Sequence, residues 1–420
     1  MNIRITDVTI YTPDKNIQGD ICISGNRIAA VGSTPDDMIF DEVISGKGKM
    51  AVPGIINCHT HSYMSVFRNI ADDLTFMDWL FGAIMPREDR LSPADGYAGA
   101  MLSCMEMIKS GTTCFMDMHM FPGQSARAAK QLGIRGIMTR GLVGESRTDK
   151  GALERIAEHM REREEFADTD TLMFRLGPHA IYTCGEDLLR YLIDLAHETE
   201  QGFHIHVAES LTESADCMKA HGMSPVKYLD SIGFFDIPTC AAHCVQLSDE
   251  DIDILAAKKV SVIHNPRSNL KLANGIAPVT KLLEKGVNVC LGTDSQASNN
   301  NLDMFTEMSF AALLQKGITH SPTVCTAEEV VDMATRRGAA AVGLDAGAIE
   351  EGKLADIVLY DLDQTCFTPH NSLRSALVYS CAGVKADTVI INGDIVLRDG
   401  TLTHADEEEI LFNAGKVCLD

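Results

Sequence analysis

Eight short apolar runs recur through the middle of the chain: "AVPGIINCH", "TTCFMDMH", "RGIMTRGL", "LMFRLGPHA", "GFHIHVAE", "TCAAHCV", "VSVIHNP" and "NVCLGTDS". Most are separated by stretches whose apolar positions return every three to four residues, such as "PADGYAGAMLSCMEMIKSG" and "EDLLRYLIDLAHETEQG". The first pattern predicts buried strands and the second amphipathic helices. Strands alternating with helices over roughly 300 residues point to a (β/α)8 TIM barrel. A doubly wound open sheet is the alternative, but the Gly-rich phosphate turn expected after its first strand is absent. The two ends read differently. "IRITDVTIYT" and "GDICISGNRIAAVG" near the start, and "ADIVLYDL" and "ADTVIINGDIVLRDG" near the end, alternate Val, Ile and Thr with polar residues between Gly, Asn and Asp turns. Each end is too small for a core of its own, so the two are expected to build one small sheet domain together.

The first barrel run ends on His59-Thr-His61. Residues two apart on a strand share a face, so these imidazoles could hold a metal jointly, or could be two loop histidines. Eight of the fourteen histidines (His59, His61, His119, His179, His204, His206, His243 and His264) fall in or at the ends of the eight runs. In such a barrel the C-terminal strand ends converge on the active site, and satisfied core histidines would not favour one end of successive strands. Asp294 closes the eighth run, and Glu209 follows His206 by three residues.

Composition narrows the classes. A formal net charge of −23, from 59 acidic against 36 basic residues, disfavours a nucleic-acid surface and otherwise promotes solubility. Thirteen scattered cysteines without a C-x-x-C pair suit a reducing compartment. The opening residues lack the charged start and apolar core of a leader, and no apolar run approaches the ~18–20 residues of a membrane span. A cytoplasmic protein with no membrane or nucleic-acid partner is expected; a homo-oligomer is compatible with this.

Several ordered motifs then carry a resemblance along almost the whole length: "PGIINCHTHSYMSVFRNIADDL", "MDWLFGAIMPREDRLSP", "GPHAIYTC", "HIHVAES", "HCVQLS", "HNPRSNLKLANGIAPV", "LGTDSQASNNNLDMF" and "GAIEEGKLADIVLYDL". With them the chain resembles the amidohydrolase superfamily, in its branch of S-adenosylhomocysteine/5′-methylthioadenosine deaminases. The resemblance implies a barrel over residues 53–350 and a β-sandwich built from 1–52 and 351–420. It makes His59, His61, His206 and Asp294 the ligands of one divalent ion, most often zinc, with iron, manganese or nickel as substitutes. Imidazole and carboxylate suit such an ion, which can lower the pKa of a bound water to about 7. His204 shares a face with His206, but His206 lies nearer the strand end, and a packing or supporting role is expected for His204. The lysine that bridges two metals in other branches has no counterpart in "LMFRLGPHA".

The resemblance further implies Glu209 as proton shuttle, Asp294 as acceptor of a proton from water, and His243 as hydrogen-bond partner of the tetrahedral centre. Trp79, Glu88 and His179 match nucleoside-binding positions; a carboxylate can accept from both ribose hydroxyls. Trp79 could equally be a core anchor. Arg140 matches the first of two arginines near the amino-acid end of the substrate, although it could instead brace the barrel against Asp117. The second falls near Ala152, flanked by Arg147 and Arg155. Either Arg147 substitutes there, or the clamp is missing.

The expected reaction is hydrolytic deamination of an adenine nucleoside: S-adenosylhomocysteine, 5′-methylthioadenosine, 5′-deoxyadenosine or adenosine. Guanine, 8-oxopurine or triazine hydrolysis on the same machinery is the alternative, and a non-catalytic metal-binding assembly protein is the different-class one. "GAIEEGKL" has the spacing of a phosphate loop, but Leu354 stands where Ser or Thr must meet Mg²⁺. The P-C-x-x-C signature of cytidine-type deaminases is absent.

Overall fold

The computed structural model describes residues 1–168 and 170–417. Its centre is a parallel barrel whose strands are Ile55–Thr60, Thr112–His119, Arg135–Leu142, a fourth in two pieces (Leu172–Phe174 and Gly177–Pro178), Phe203–Val207, Thr239–His243, Ser261–His264 and Asn288–Leu291. The first four pair in sequence order, as do the last four. A bridge between Leu176 and Phe203 joins the two halves. Asp294 N–H donates to the His59 carbonyl at 2.9 Å, tying the chain beyond the eighth strand to the first. Every residue of the first, second, fifth and sixth strands is buried, which is why they read as continuous apolar runs instead of alternating ones.

The helices begin and end where their chemistry stops the backbone. "PADGYAGAMLSCMEMIKSG" forms the helix Pro93–Ser110, opened by a reciprocal Ser92–Asp95 capping box with Pro at its start, and ended by Gly111 at φ 95°. No side chain fits at Gly111, since a Cβ there would lie 1.9 Å from the Tyr360 hydroxyl. "EDLLRYLIDLAHETEQG" forms Glu186–Thr199, burying Leu188, Leu189, Leu192 and Ala196 on one face. No helix among the described residues is long and apolar enough to cross a membrane. The twelve described cysteines are free thiols.

Both chain ends enter one nine-stranded sheet. Asn2–Ile10 pairs antiparallel with Ile17–Ser24 and, along its other edge, parallel first to Glu42–Ser45 and then to Lys49–Pro53. Lys49–Pro53 pairs antiparallel with Ile357–Asp361, which leads into the strands Thr388–Ile391 and Asp394–Arg398. The N-terminal strands meet the C-terminal ones along this pairing, and Arg27 adds a second bridge to Leu354. Ile3, Ile5, Ile21 and Ile23 from one end form a common core with Ile357, Leu359 and Ile390 from the other.

A buried ion pair fastens this sheet to the barrel. Arg135, fully buried at the start of the third barrel strand, donates from Nε to Asp356 Oδ2 at 2.7 Å and from Nη2 to Asp356 Oδ1 at 3.1 Å. Nη2 also donates to Asn392 Oδ1 at 2.8 Å. Tyr360 adds a 2.8 Å hydrogen bond to the Ser110 carbonyl. Removing one member of a buried pair strands the other charge, which costs about 3–5 kcal/mol. Asp356→Ala is accordingly expected to destabilise the protein by that order, read as a shift in the urea midpoint at unchanged slope. A shift under about 1 kcal/mol would mean that Arg135 finds other partners.

Candidate active site

Three of the histidines have one ring nitrogen committed outward. His61 Nδ1 lies 2.8 Å from the Met118 carbonyl, and His206 Nδ1 lies 2.7 Å from the His179 carbonyl. A carbonyl only accepts, so both Nδ1 atoms carry the proton and both Nε2 lone pairs are left free. His59 Nδ1 contacts His204 Nε2 at 2.8 Å. The free nitrogens converge: His206 Nε2 is 3.4 Å from His61 Nε2, and Asp294 Oδ1 is 3.4 Å from His59 Nε2 and 3.3 Å from His61 Nε2. His59 Nε2 is fully buried and without a hydrogen-bond partner. An orphaned buried nitrogen beside convergent lone pairs and a carboxylate is a donor set for a divalent metal. Two overlapping triads share His59, one with His61 and Asp294, the other with His206 and His243, each with its donor atoms within 4.8 Å. His204 supports His59 from behind, in contact with Thr139 Oγ1 at 3.4 Å.

The backbone is strained where these side chains turn inward. Ala208, His243, Cys244 and Asp294 have φ between 48° and 74°, a region that non-glycine residues enter at a cost of about 1–3 kcal/mol each. Hydrogen bonds hold the turns in place: Cys244 N–H reaches the Val207 carbonyl and Val245 N–H the Ala208 carbonyl, both at 3.0 Å. A further constraint is space at Gly292, where a Cβ would fall 2.8 Å from the His59 Cβ.

Burial dominates the electrostatics. It pushes Glu209 up to about 8, with the Asp294 carboxylate adding to the shift. Glu209 Oε1 accepts from Asn274 Nδ2 at 2.9 Å, and Oε2 lies 3.8 Å from His243 Nε2. Asp294 behaves oppositely. Burial alone would raise it, but its contacts with His59 and His61 hold it well below the usual carboxylate range. Ser268 and Ser298 donate to its Oδ2 at 2.5 and 2.8 Å. Burial also lowers His243, whose Nδ1 meets Asn269 Oδ1 at 2.8 Å.

Trp79, Glu88, Arg140 and His179 line one cavity with His61, His206, Glu209, His243 and Asp294. Trp79 and Glu88 arrive on a segment that crosses the barrel mouth as two short helical stretches, Asp78–Ile84 and Met85–Glu88. Trp79 is buried and donates from Nε1 to the Ala297 carbonyl at 3.3 Å. Arg140 Nε is held by Glu158 at 2.9 Å. Asp117 does not brace it, accepting from Ser62 and Ser125. Arg147 is elsewhere: its Nε pairs with Asp187 Oδ1 at 2.8 Å on the surface, and it does not line the cavity. Arg155 lines it instead. It is half-buried and forms no hydrogen bond or ion pair with a described residue.

Sequence reasoning passed over Tyr63 and Tyr182 in the lining, and Glu213 behind it, and it gave no binding role to His119 or Arg155, which also line the cavity. Glu213 had a signal, because Ser210-x-x-Glu213 reads as a capping box. Ser210 does cap the Glu213 N–H, but the buried Glu213 carboxylate reaches further back, accepting from the Ala208 N–H at 3.0 Å and the Glu209 N–H at 2.7 Å. It thereby fixes the strained turn that presents Glu209.

The amidohydrolase family signature matches residues 50–396. A 5-methylthioadenosine/S-adenosylhomocysteine deaminase of Thermoanaerobacter pseudethanolicus is 45% identical over 428 positions, spanning 99% of this chain and 98% of that protein. A 5′-deoxyadenosine deaminase of Methanothermobacter thermautotrophicus is 46% identical over 417 positions, spanning 98% of this chain and 96% of that one. A zinc-bound adenosine deaminase of Xanthomonas campestris superposes with a TM-score of 0.94 at 31% identity, over 99% of this chain and 97% of its own.

The donor set gives a direct expectation. Protein purified without chelator should carry about one divalent ion per chain by elemental analysis, and His206→Ala should lose most of it. Two ions per chain in the wild type would contradict a single centre.

Proposed function

Because the chain belongs to the amidohydrolase family, we propose that it hydrolytically deaminates adenine nucleosides altered at the 5′ position, giving the inosine analogue and ammonia. The observation that carries this reading is a protonatable carboxyl, Glu209 at about 8, facing the same cavity as the donor cluster and the Glu88 carboxylate. His59, His61, His206 and Asp294 would hold the divalent ion, zinc by preference, and that ion supplies a water made reactive at neutral pH. His243 is assigned to hydrogen bonding and not to the ligand set, in keeping with its contact to Asn269 and its place beside Glu209.

The chain's own groups then manage protons and position. Asp294, held ionised by its contacts with His59 and His61 and oriented by two serines donating to its Oδ2, takes a proton from the attacking water. Glu209, whose burial favours the protonated form, gives its proton to N1 of the purine as the new C6–O bond forms. The amino group takes up the proton held by Asp294 and leaves C6 as ammonia, while the C6 hydroxyl gives its proton back to Glu209 and C6 becomes a carbonyl. Glu88 accepts from the ribose hydroxyls, His179 and Trp79 flank the base, and Arg140 faces the 5′ arm. A ribose-directed carboxylate favours nucleosides over a bare guanine or triazine ring. Arg155 in place of Arg147 supplies a second cation to the cavity, so a carboxylate-bearing arm such as that of S-adenosylhomocysteine is included.

Glu209→Gln keeps the size of the side chain but cannot pass a proton. Ammonia release should fall by roughly 10²–10⁴-fold with metal content retained; activity within a few-fold of wild type would contradict the role.

Arg140→Ala and Arg155→Ala should each lower kcat/KM for S-adenosylhomocysteine by about 30-fold or more, and that for 5′-methylthioadenosine only a few-fold. Arg147→Ala should leave both unchanged. Parallel losses on the two substrates, accompanied by a lower Tm, would assign the arginines to bracing the barrel wall.

A further inference from the structure

The Glu88 carboxylate does not face the cavity alone. The phenol of Tyr63 donates a hydrogen bond to Glu88 Oε1. Tyr63 is 3% exposed and lies on the helical turn Ser62–Phe67, directly after the first barrel strand. Its ring is fixed on three sides, meeting His119 edge-on with centroids 4.7 Å apart, Phe67 at 6.3 Å and His61 at 6.5 Å. His119 is itself oriented, its Nδ1 accepting from the Phe121 N–H at 2.7 Å. Glu88 sits at the far end of the segment crossing the barrel mouth, so this one hydrogen bond runs from the rigid rim to that segment.

We infer that Tyr63 is the positioning residue that orients Glu88 for the ribose diol, and so sets discrimination between ribosyl and deoxyribosyl substrates. The inference rests on the nucleoside reading above. A diol offers two O–H donors, and an ionised carboxylate offers two acceptor oxygens with spare lone pairs. Unrestrained, a carboxylate at the end of a glutamate side chain samples many orientations, and binding the diol must then order it. With Oε1 held by a phenol on a fixed ring, Oε2 and the remaining lone pair of Oε1 are presented in one orientation before substrate arrives. The net shift of the Glu88 carboxyl is upward, and the phenol moderates it. Burial raises the carboxyl, while the Tyr63 hydrogen bond and the nearby charge of Arg140 oppose that rise.

Other contacts keep this role separate from holding the segment down. Trp79 Nε1 bonds the Ala297 carbonyl at 3.3 Å, and Lys271 pairs with Asp72 at 2.6 Å. Neither involves Tyr63, so removing one hydroxyl leaves those anchors in place.

The test compares wild type, Tyr63→Phe, Glu88→Gln and the double variant on adenosine and 2′,3′-dideoxyadenosine, following ammonia release. Hydrogen bonds to charged groups are strong enough that Tyr63→Phe should lower kcat/KM for adenosine about ten-fold, mainly through KM. The dideoxy substrate, with no diol to orient, should stay within about two-fold, so the ribosyl preference contracts by nearly the whole factor. In the Glu88→Gln background the second substitution should change that preference by less than about two-fold. Equal losses on both substrates would overturn the inference in favour of a structural brace, and an unchanged adenosine kcat/KM would overturn it outright. A wild type that releases no ammonia from any adenine nucleoside would refute the deaminase reading and this inference with it. That outcome is distinct from an active wild type whose ribosyl preference is indifferent to Tyr63.

Discussion

The barrel closes where the end of its eighth strand meets its first, and the site exists because of that closure. Asp294 N–H is bonded to the His59 carbonyl at 2.9 Å, and in the same turn Asp294 Oδ1 comes within 3.4 Å of His59 Nε2. One contact completes the ring of strands and also joins the last donor to the first. The seam tolerates little bulk, as Gly292 shows. Asn57 reinforces it by donating to Thr293 Oγ1 at 2.8 Å and accepting from the Thr293 N–H at 3.1 Å. Anything that opened the seam would also separate the carboxylate from the imidazoles.

Strain and support are matched around that closure. Left-handed residues at three strand ends aim Glu209, His243 and Asp294 into a shared space, each against local backbone preference. The compensation is not in the cavity. It lies behind it, in the Glu213 carboxylate holding two successive N–H groups and in the two serines on Asp294. Buried groups of this kind do little for stability on their own, because desolvation offsets much of what they gain. Their return is a fixed orientation of the reacting side chains.

The parts of this arrangement governed by periodicity were legible in the sequence. The apolar runs are the barrel strands, because a strand buried on both faces leaves an unbroken apolar signature. Histidines at the same end of successive runs converge, because all the strands are parallel. Legibility stops where a side chain's length and a loop's path decide the outcome. His204 and His206 share a strand face and differ only in depth, and the distinction appears in their partners: His204 meets His59, while His206 meets a carbonyl. Arg147 and Arg155 flank Ala152 in sequence, and proximity alone does not choose between them. The helix beginning at Lys150 directs Arg155 to the cavity, and Asp187 draws Arg147 to the surface. Tyr63 gave no signal because its partner Glu88 lies twenty-five residues away on an irregular segment.

That irregular segment also carries Trp79, the single tryptophan of the chain. Its indole is buried against Phe76, with ring centroids 6.2 Å apart, and its N–H is bonded to the loop after the eighth strand. The indole emission of the whole molecule therefore originates at one point above the barrel mouth. A protein of this size usually mixes signals from several indoles in unrelated places. Here excitation selective for tryptophan reads the solvation and packing of the crossing segment alone, so the molecule carries its own optical gauge of the surroundings of that segment.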